Sequence, residues 1–301
     1  MELEKFAAID IGSNAIRMLV ANVVIREGLP PSFHKNSMVR VPIRLGEDSF
    51  TVGEISKQNL KRMVHSFKAF KQIMKVHGVT HYKAYATSAL REASNTSWVI
   101  EKIKDKTGIT IEVIDGRKEA EIISANTPTN PAFGRKTYLY VDVGGGSTEF
   151  SVLKNGERLA SKSFKIGTVR LLNNLVADRV WEEVKEWINR HTESFKKISV
   201  LGTGGNINKL IKLTNTKEGK PLSLVTLTGI YHQLEQLTYE ERVLKFKLNP
   251  DRADVILPAT QIYLRAMGWS GATRIFVPKA GLADGMIQSM FDEVSPELNR
   301  E

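Results

Sequence analysis

One stretch gathers most of the groups able to do chemistry: Asp142-Val-Gly-Gly-Gly-Ser-Thr-Glu149. It follows Tyr138-Leu-Tyr-Val141, an apolar run whose composition suits a buried strand. Glycines carry a large backbone entropy cost, so three in a row call for a reason. They let the chain bend sharply and bring bare N–H groups against a ligand, and successive N–H groups form an anion-binding concavity. Gly144, Gly145 and Gly146 are therefore candidate phosphate-binding residues. Ser147 and Thr148 add hydroxyl donors, and the acids Asp142 and Glu149 suit a divalent cation or a water. A plain hairpin with surface acids has the same residue types, and short motifs alone do not separate the two.

A second copy weighs against the plain hairpin. Near the N-terminus the chain reads Ile9-Asp10-Ile-Gly12-Ser13-Asn14-Ala-Ile-Arg17-Met18. With Asp10 set on Asp142, Gly12 falls on Gly144 and Met18 on Phe150, so both stretches read strand, Asp-x-Gly, small polar loop, strand. The offset is close to the length of one domain. Internal similarity of this kind predicts two like-folded halves whose Asp-x-Gly hairpins face each other across a cleft.

The rest of the chain must position these loops. Its 301 residues allow about two domains, each with a sizeable core. A hydrophobic content of 42% with 25% charged residues is that of a soluble globular protein. No apolar run approaches a membrane span, and the first residues lack a signal-peptide pattern, so a cytoplasmic location without membrane attachment is expected. Having no cysteine excludes disulfides and thiolate chemistry. The net charge of +10 favours an acidic substrate. The bases are dispersed and no nucleic-acid motif is present, so no nucleic-acid partner is expected. A homodimer is compatible with the sequence and not required by it.

Strands and helices alternate, which argues α/β. Strands are expected over 6–12, 15–25, 38–45 (an edge strand because of Pro42), 81–86, 109–114, 138–143, 159–166, 198–201 and 274–277. A turn is expected at Gly28-Leu-Pro-Pro31 and a tight hairpin at Asn155-Gly156. Leu60, Met63, Phe67, Phe70 and Met74 mark a long amphipathic helix ending near Gly78. Further helices are expected over 96–107, 116–125, 181–196, 228–246 and 254–267, with one opening at Gly167-Thr-Val-Arg170 and one after the Gly202–Asn206 loop. A last helix after Gly281 is expected to return to the first half. The domain crossing is placed near 121–135. The pair Trp181 and Trp187 reads as core.

The chain also resembles the exopolyphosphatase / guanosine pentaphosphate phosphatase (Ppx/GppA) family, in its short two-domain form. The matching stretches are Ile9–Asn14 with Arg17, Arg44-Leu-Gly-Glu47, Ala86-Thr-Ser-Ala-Leu-Arg91 with Asn95, Gly116 with Glu119-Ala120, Asp142–Glu149, Ile166-Gly-Thr-Val-Arg-Leu171, Arg252-Ala-Asp254 and Gly281-Leu282 with Gly285. The resemblance implies two ribonuclease-H-like domains of the actin, sugar-kinase and Hsp70 ATPase superfamily around a central cleft. It divides the chain into 1–122 plus 281–301 and 123–280. It implies hydrolysis of a terminal phosphoanhydride of polyphosphate, guanosine pentaphosphate or both, with Mg2+ as the divalent cation. Glu119 and Glu149 match its catalytic carboxylates. Ser13, Asn14, Arg17 and Arg91 match phosphate-contacting positions, and Asp142 with Glu149 matches the metal position. The base is assigned to Glu119 ahead of Glu149, with the choice left open. Two departures stand out: Lys118 where a second glutamate is usual, and Ala283 where an arginine is. They keep in view a polyphosphate- or alarmone-binding protein without turnover, and the Gly202–Asn206 loop, read as an adenosine-side loop, keeps in view an ATP-dependent small-molecule kinase of the same superfamily.

Overall fold

The computed structural model describes residues 1–125, 136–217, 219–278 and 281–298. Contacts divide the chain into two compact units, Met1–Asn126 with Ala280–Glu301, and Thr127–Lys279. Most of the 121–135 segment expected to hold the domain crossing lies outside the described residues.

The first unit holds strands β1 (Glu2–Ile11), β2 (Ile16–Arg26), β3 (Leu29–Val41), β4 (His81–Ala86) and β5 (Glu112–Val113), in the order β3-β2-β1-β4-β5. The first three are antiparallel neighbours; β4 and β5 run parallel to β1. Phe6 to Ile11 is buried throughout, as expected for a strand covered on both faces. On one face Ile9, Ile11, Ile16, Met18 and Val20 share a core with Leu60, Met63, Phe67 and Phe70 of the Lys57–His77 helix. Ser56 caps that helix by accepting from the Asn59 N–H, and Gly78, at φ +66°, closes its end. On the other face the Leu282–Leu298 helix packs on β1 and on the Gly116–Ala125 helix. Phe291 meets both Phe6 and Phe33 edge-on.

The second unit holds β6 (Thr137–Val143), β7 (Thr148–Lys154), β8 (Glu157–Phe164), β9 (Ser199–Thr203), β10 (Leu222–Ser223) and β11 (Arg274–Phe276). Their order is β10-β11-β9-β6-β7-β8. Read from β8, this repeats the first unit: three antiparallel strands, then two parallel ones, with β10 added at the edge. Asn155 and Gly156 both have positive φ, 55° and 88°, as a tight I′-type hairpin requires. Trp181 and Trp187 lie in the core with Phe150, Phe164 and Ile188.

Several expectations shift. Strand β3 begins at Leu29, takes in Pro30 and Pro31, and ends at Val41, so the turn is narrower than Gly28–Pro31 and Leu45 already belongs to a helical turn. As the edge strand it tolerates prolines, because one side of it has no ladder to donate to. Strand β5 is only two residues long. The 228–246 helix is two helices, Leu224–Glu235 and Tyr239–Lys245, because Thr238 and Glu241 form a capping box that starts the second. The Trp181 helix ends at Thr192.

Candidate functional site

Both Asp-x-Gly hairpins close in the same way. Gly12 N–H donates to Ala15 O at 3.2 Å, and Gly144 N–H to Ser147 O at 3.0 Å. In the register Asp10 lies opposite Arg17 and Asp142 opposite Glu149, so Arg17 and Glu149 hold equivalent places. The similarity extends beyond the hairpins. A short helix after the third strand caps each loop: Gly46 N–H donates to Ser13 O at 2.8 Å, and Val169 N–H to Gly145 O at 2.8 Å. An arginine then braces the next loop residue: Arg44 Nε donates to Asn14 Oδ1 at 3.0 Å, and Arg170 Nε to Gly146 O at 2.7 Å.

In the first unit, Ser13 is buried and its Oγ meets Ser88 Oγ at 2.9 Å. The Arg17 guanidinium lies 3.7 Å from Asp10. Arg91 sits in the Ser88–Glu92 turn, which starts directly beyond β4. Its Nη1 donates to Ile114 O at 2.7 Å and lies 3.9 Å from Glu119 Oε2. Glu119 is only 8% exposed, in the first turn of the Gly116–Ala125 helix. Asp115 starts that helix, accepting from the Lys118 N–H at 2.7 Å. Glu119 thus lies at the start of its helix with a guanidinium beside it. Lys118 itself is exposed.

In the second unit, Glu149 is 2% exposed, and its Oε1 accepts from Ser147 Oγ and Ser163 Oγ, both at 2.8 Å. Asp142 is half-buried, and its Oδ1 accepts from Thr203 Oγ1 at 2.7 Å. That contact uses the only Thr203 hydroxyl proton, so Tyr140 OH is the donor in its 2.6 Å contact with Thr203 Oγ1. Tyr263 OH in turn donates to Thr203 O. The result is a buried chain of hydroxyls ending on Asp142. Thr148 is fully buried and its hydroxyl donates to Ile166 O at 2.6 Å, so it ties β7 to the segment after β8. Gly204, at φ +114°, opens the Gly205–Leu213 helix beside this chain.

Burial, and then the charge of Asp142, push the Tyr140 and Tyr263 hydroxyls well above the usual tyrosine value. They stay protonated donors across the neutral range. A raised folded value also means that the unfolded chain loses these protons first as pH rises. Stability from this source is complete below about pH 10 and falls above it. Denaturant midpoints measured from pH 8 to 11 are expected to fall over the upper part of that range, less steeply in Tyr140→Phe; equal slopes would count against it.

Sequence reasoning marked Asp142, Glu149, Ser147 and the glycines but missed the groups that hold them. Thr203 and Tyr263 carry no local signal, because they come from β9 and from the Ile256–Ser270 helix, and Tyr140 on the same strand joins Asp142 only through Thr203. Ser163 lies opposite Glu149 in the β7–β8 register and is found only once the pairing is known. Arg44 and Arg170 lay in quoted motifs without a role.

Two units of the same strand order, β3-β2-β1-β4-β5 in the first and β8-β7-β6-β9-β11 in the second, each with an Asp-x-Gly hairpin at the end of its first strand, define a duplicated ribonuclease-H-like protein. The sequence profile of the Ppx/GppA phosphatase family matches residues 23–294, and the chain belongs to that family. It is 30% identical over 297 residues to a bifunctional 3-dehydroquinate synthase/phosphatase of Fusobacterium nucleatum, covering 90% of this chain and 44% of that protein. It is 22% identical over 308 residues to exopolyphosphatase 1 of Mycobacterium leprae, covering 96% of this chain and 90% of that one. The crystal structure of an exopolyphosphatase from Cytophaga hutchinsonii superposes with a TM-score of 0.86 at 27% identity, over 96% of this chain and 98% of that one. Among the described residues, no helix is long and apolar enough to cross a membrane.

Proposed function

We propose that the protein hydrolyses the terminal phosphoanhydride of inorganic polyphosphate, guanosine pentaphosphate or both, releasing orthophosphate. The observation that carries this reading is the repeated hairpin, hydrogen bond for hydrogen bond, in a chain of the Ppx/GppA phosphatase family. The exopolyphosphatases similar to it over nearly their whole length support polyphosphate as substrate.

Phosphoanhydride hydrolysis is mainly positioning and charge neutralisation. In this reading the backbone N–H groups of Gly145, Gly146, Ser147, Ser13 and Asn14 hold phosphate oxygens. Arg17 and Arg91 supply guanidinium forks. Thr148 contributes by anchoring β7, since its hydroxyl is already committed to Ile166. Glu119 accepts a proton from the attacking water, with its carboxylate held by Arg91 and the helix start. Glu149, fixed by two serine hydroxyls, is the second carboxylate that this reading makes catalytic.

Asp142 and Glu149 are directly opposed across β6 and β7, so both project from the same face of the sheet. Among the described residues no three His, Asp or Glu side chains gather into a cage. Magnesium is usually bound by one or two carboxylates together with substrate phosphates and water, and this donor pair fits that habit. Asp142 and Glu149 would hold the ion, which when bound neutralises charge on the phosphate oxygens.

The test is orthophosphate release by the full chain from long polyphosphate, guanosine pentaphosphate and ATP, with and without magnesium. Release from either of the first two, lost on adding EDTA, is expected. Binding of polyphosphate without release would replace this reading with that of a phosphate-binding protein.

A further inference from the structure

One row of side chains runs outward from the first hairpin across the sheet. Asp10 on β1 lies opposite Arg17 on β2, and Arg17 lies opposite Arg40 on β3. Directly opposed residues project from the same face. Both arginines are half-buried. Adjacent strands lie about 4.8 Å apart, so the two cations step away from the Asp10 hairpin in strand-wide increments. Arg44, just beyond the end of β3, joins them by donating to Asn14 in the loop. On this side of the hairpin there are therefore three guanidinium groups, and Asp10 is the one acid in the β1–β2–β3 row.

A chain of phosphates is the ligand whose charge repeats along a line in this way. Each guanidinium offers a planar fork that matches two phosphate oxygens. We propose that Arg40 is a specificity-determining residue. With Arg17 it forms a two-rung ladder that holds phosphates behind the scissile one, favouring long chains over short ones. This rests on the phosphohydrolase reading above. Arg17 comes to the ladder from the family resemblance; Arg40 is placed by the strand register alone. The competing view makes Arg40 an edge-strand charge that discourages sheet-to-sheet pairing. It predicts a change in solubility and none in substrate affinity.

The experiment compares wild type, Arg40→Gln and Arg40→Lys as full chains. Readouts are kcat and KM on long polyphosphate and on tripolyphosphate, the salt dependence of KM, and thermal melting without substrate. For Arg40→Gln, KM for long polyphosphate is expected to rise about tenfold with kcat within about twofold. KM for tripolyphosphate should change less. The slope of log KM against log salt should fall by about one, as for loss of a single phosphate contact. Arg40→Lys should keep the slope and lose part of the affinity. Melting without substrate should stay close to wild type. Unchanged KM and salt slope in Arg40→Gln would overturn the ladder. Should Arg40→Gln fail to fold, Arg40→Lys with wild-type KM for long chains would also overturn it. Should wild type release no phosphate, the reading underneath fails, and equilibrium binding of long polyphosphate to wild type and Arg40→Gln still decides the ladder.

Discussion

Glu119→Gln lowers kcat by about 10²- to 10⁴-fold, the usual worth of a positioned general base, while far-UV dichroism and melting stay close to wild type. Glu119 is buried in the first turn of its helix, and its neighbour Arg91 keeps a second anchor on Ile114 O. Loss of the charge therefore leaves the local frame standing. Glu149→Gln is expected to lower kcat at least about tenfold. Its cost in stability is larger, because the buried Ser147 hydroxyl and the half-buried Ser163 hydroxyl lose a charged acceptor, and hydrogen bonds to charged groups contribute about 1.5–3 kcal/mol. The pair of variants also separates roles. A base shows its loss in kcat with the acidic limb of the pH profile removed, whereas a water-orienting group lowers kcat without moving that limb. If both variants keep activity within twofold, neither carboxylate is catalytic.

Gly167→Ala is expected to lower kcat/KM by about 100-fold and stability by about 1–3 kcal/mol, though residue 167 bears no functional group. A Cβ there would lie 2.5 Å from the carbonyl carbon and oxygen of Gly145 and 2.6 Å from the Gly146 nitrogen. These are backbone atoms of the phosphate loop and cannot turn aside as a flexible side chain would. Overpacking of this kind typically costs 1–3 kcal/mol, and displacing a binding loop by about 1 Å costs on the order of 100-fold in rate. The φ of Gly167 is extended, so the effect comes from contact and not from backbone strain. A Gly28→Ala control, where nothing lies within 4 Å of the new Cβ but φ is +70°, should cost some stability and no activity. Gly167→Ala with wild-type kcat/KM would show that the loop does not hold substrate where proposed.

Much of the first layer was legible before any fold was known. Strand β1 could be read because Phe6–Ile9 is continuously apolar up to Asp10, and the Lys57–His77 helix because its core residues recur at helical spacing. Asn155-Gly156 was legible because two successive left-handed residues leave few other options. Where the reading slipped, local propensity competed with pairing. Residues 29–37 are mostly polar or proline, with only Leu29 and Phe33 apolar, yet they form β3 because β2 offers a ladder on one side. Thr238 cut an apparent single helix in two with a cap that a hydrophobic count passes over.

By itself the sequence determined the duplicated Asp-x-Gly hairpins, the glycine loop and the two acids at its ends, since these are local patterns within one turn of chain. Only the tertiary structure decided what holds them. Thr203 and Tyr263 come to Asp142 from another strand and a helix, and Tyr140 of its own strand joins through Thr203; Ser163 reaches Glu149 across a register, and Gly167 lies against a loop more than twenty residues before it. Such contacts depend on strand order and pairing, which follow from the burial of the whole core and leave no mark in the spacing of neighbouring residues.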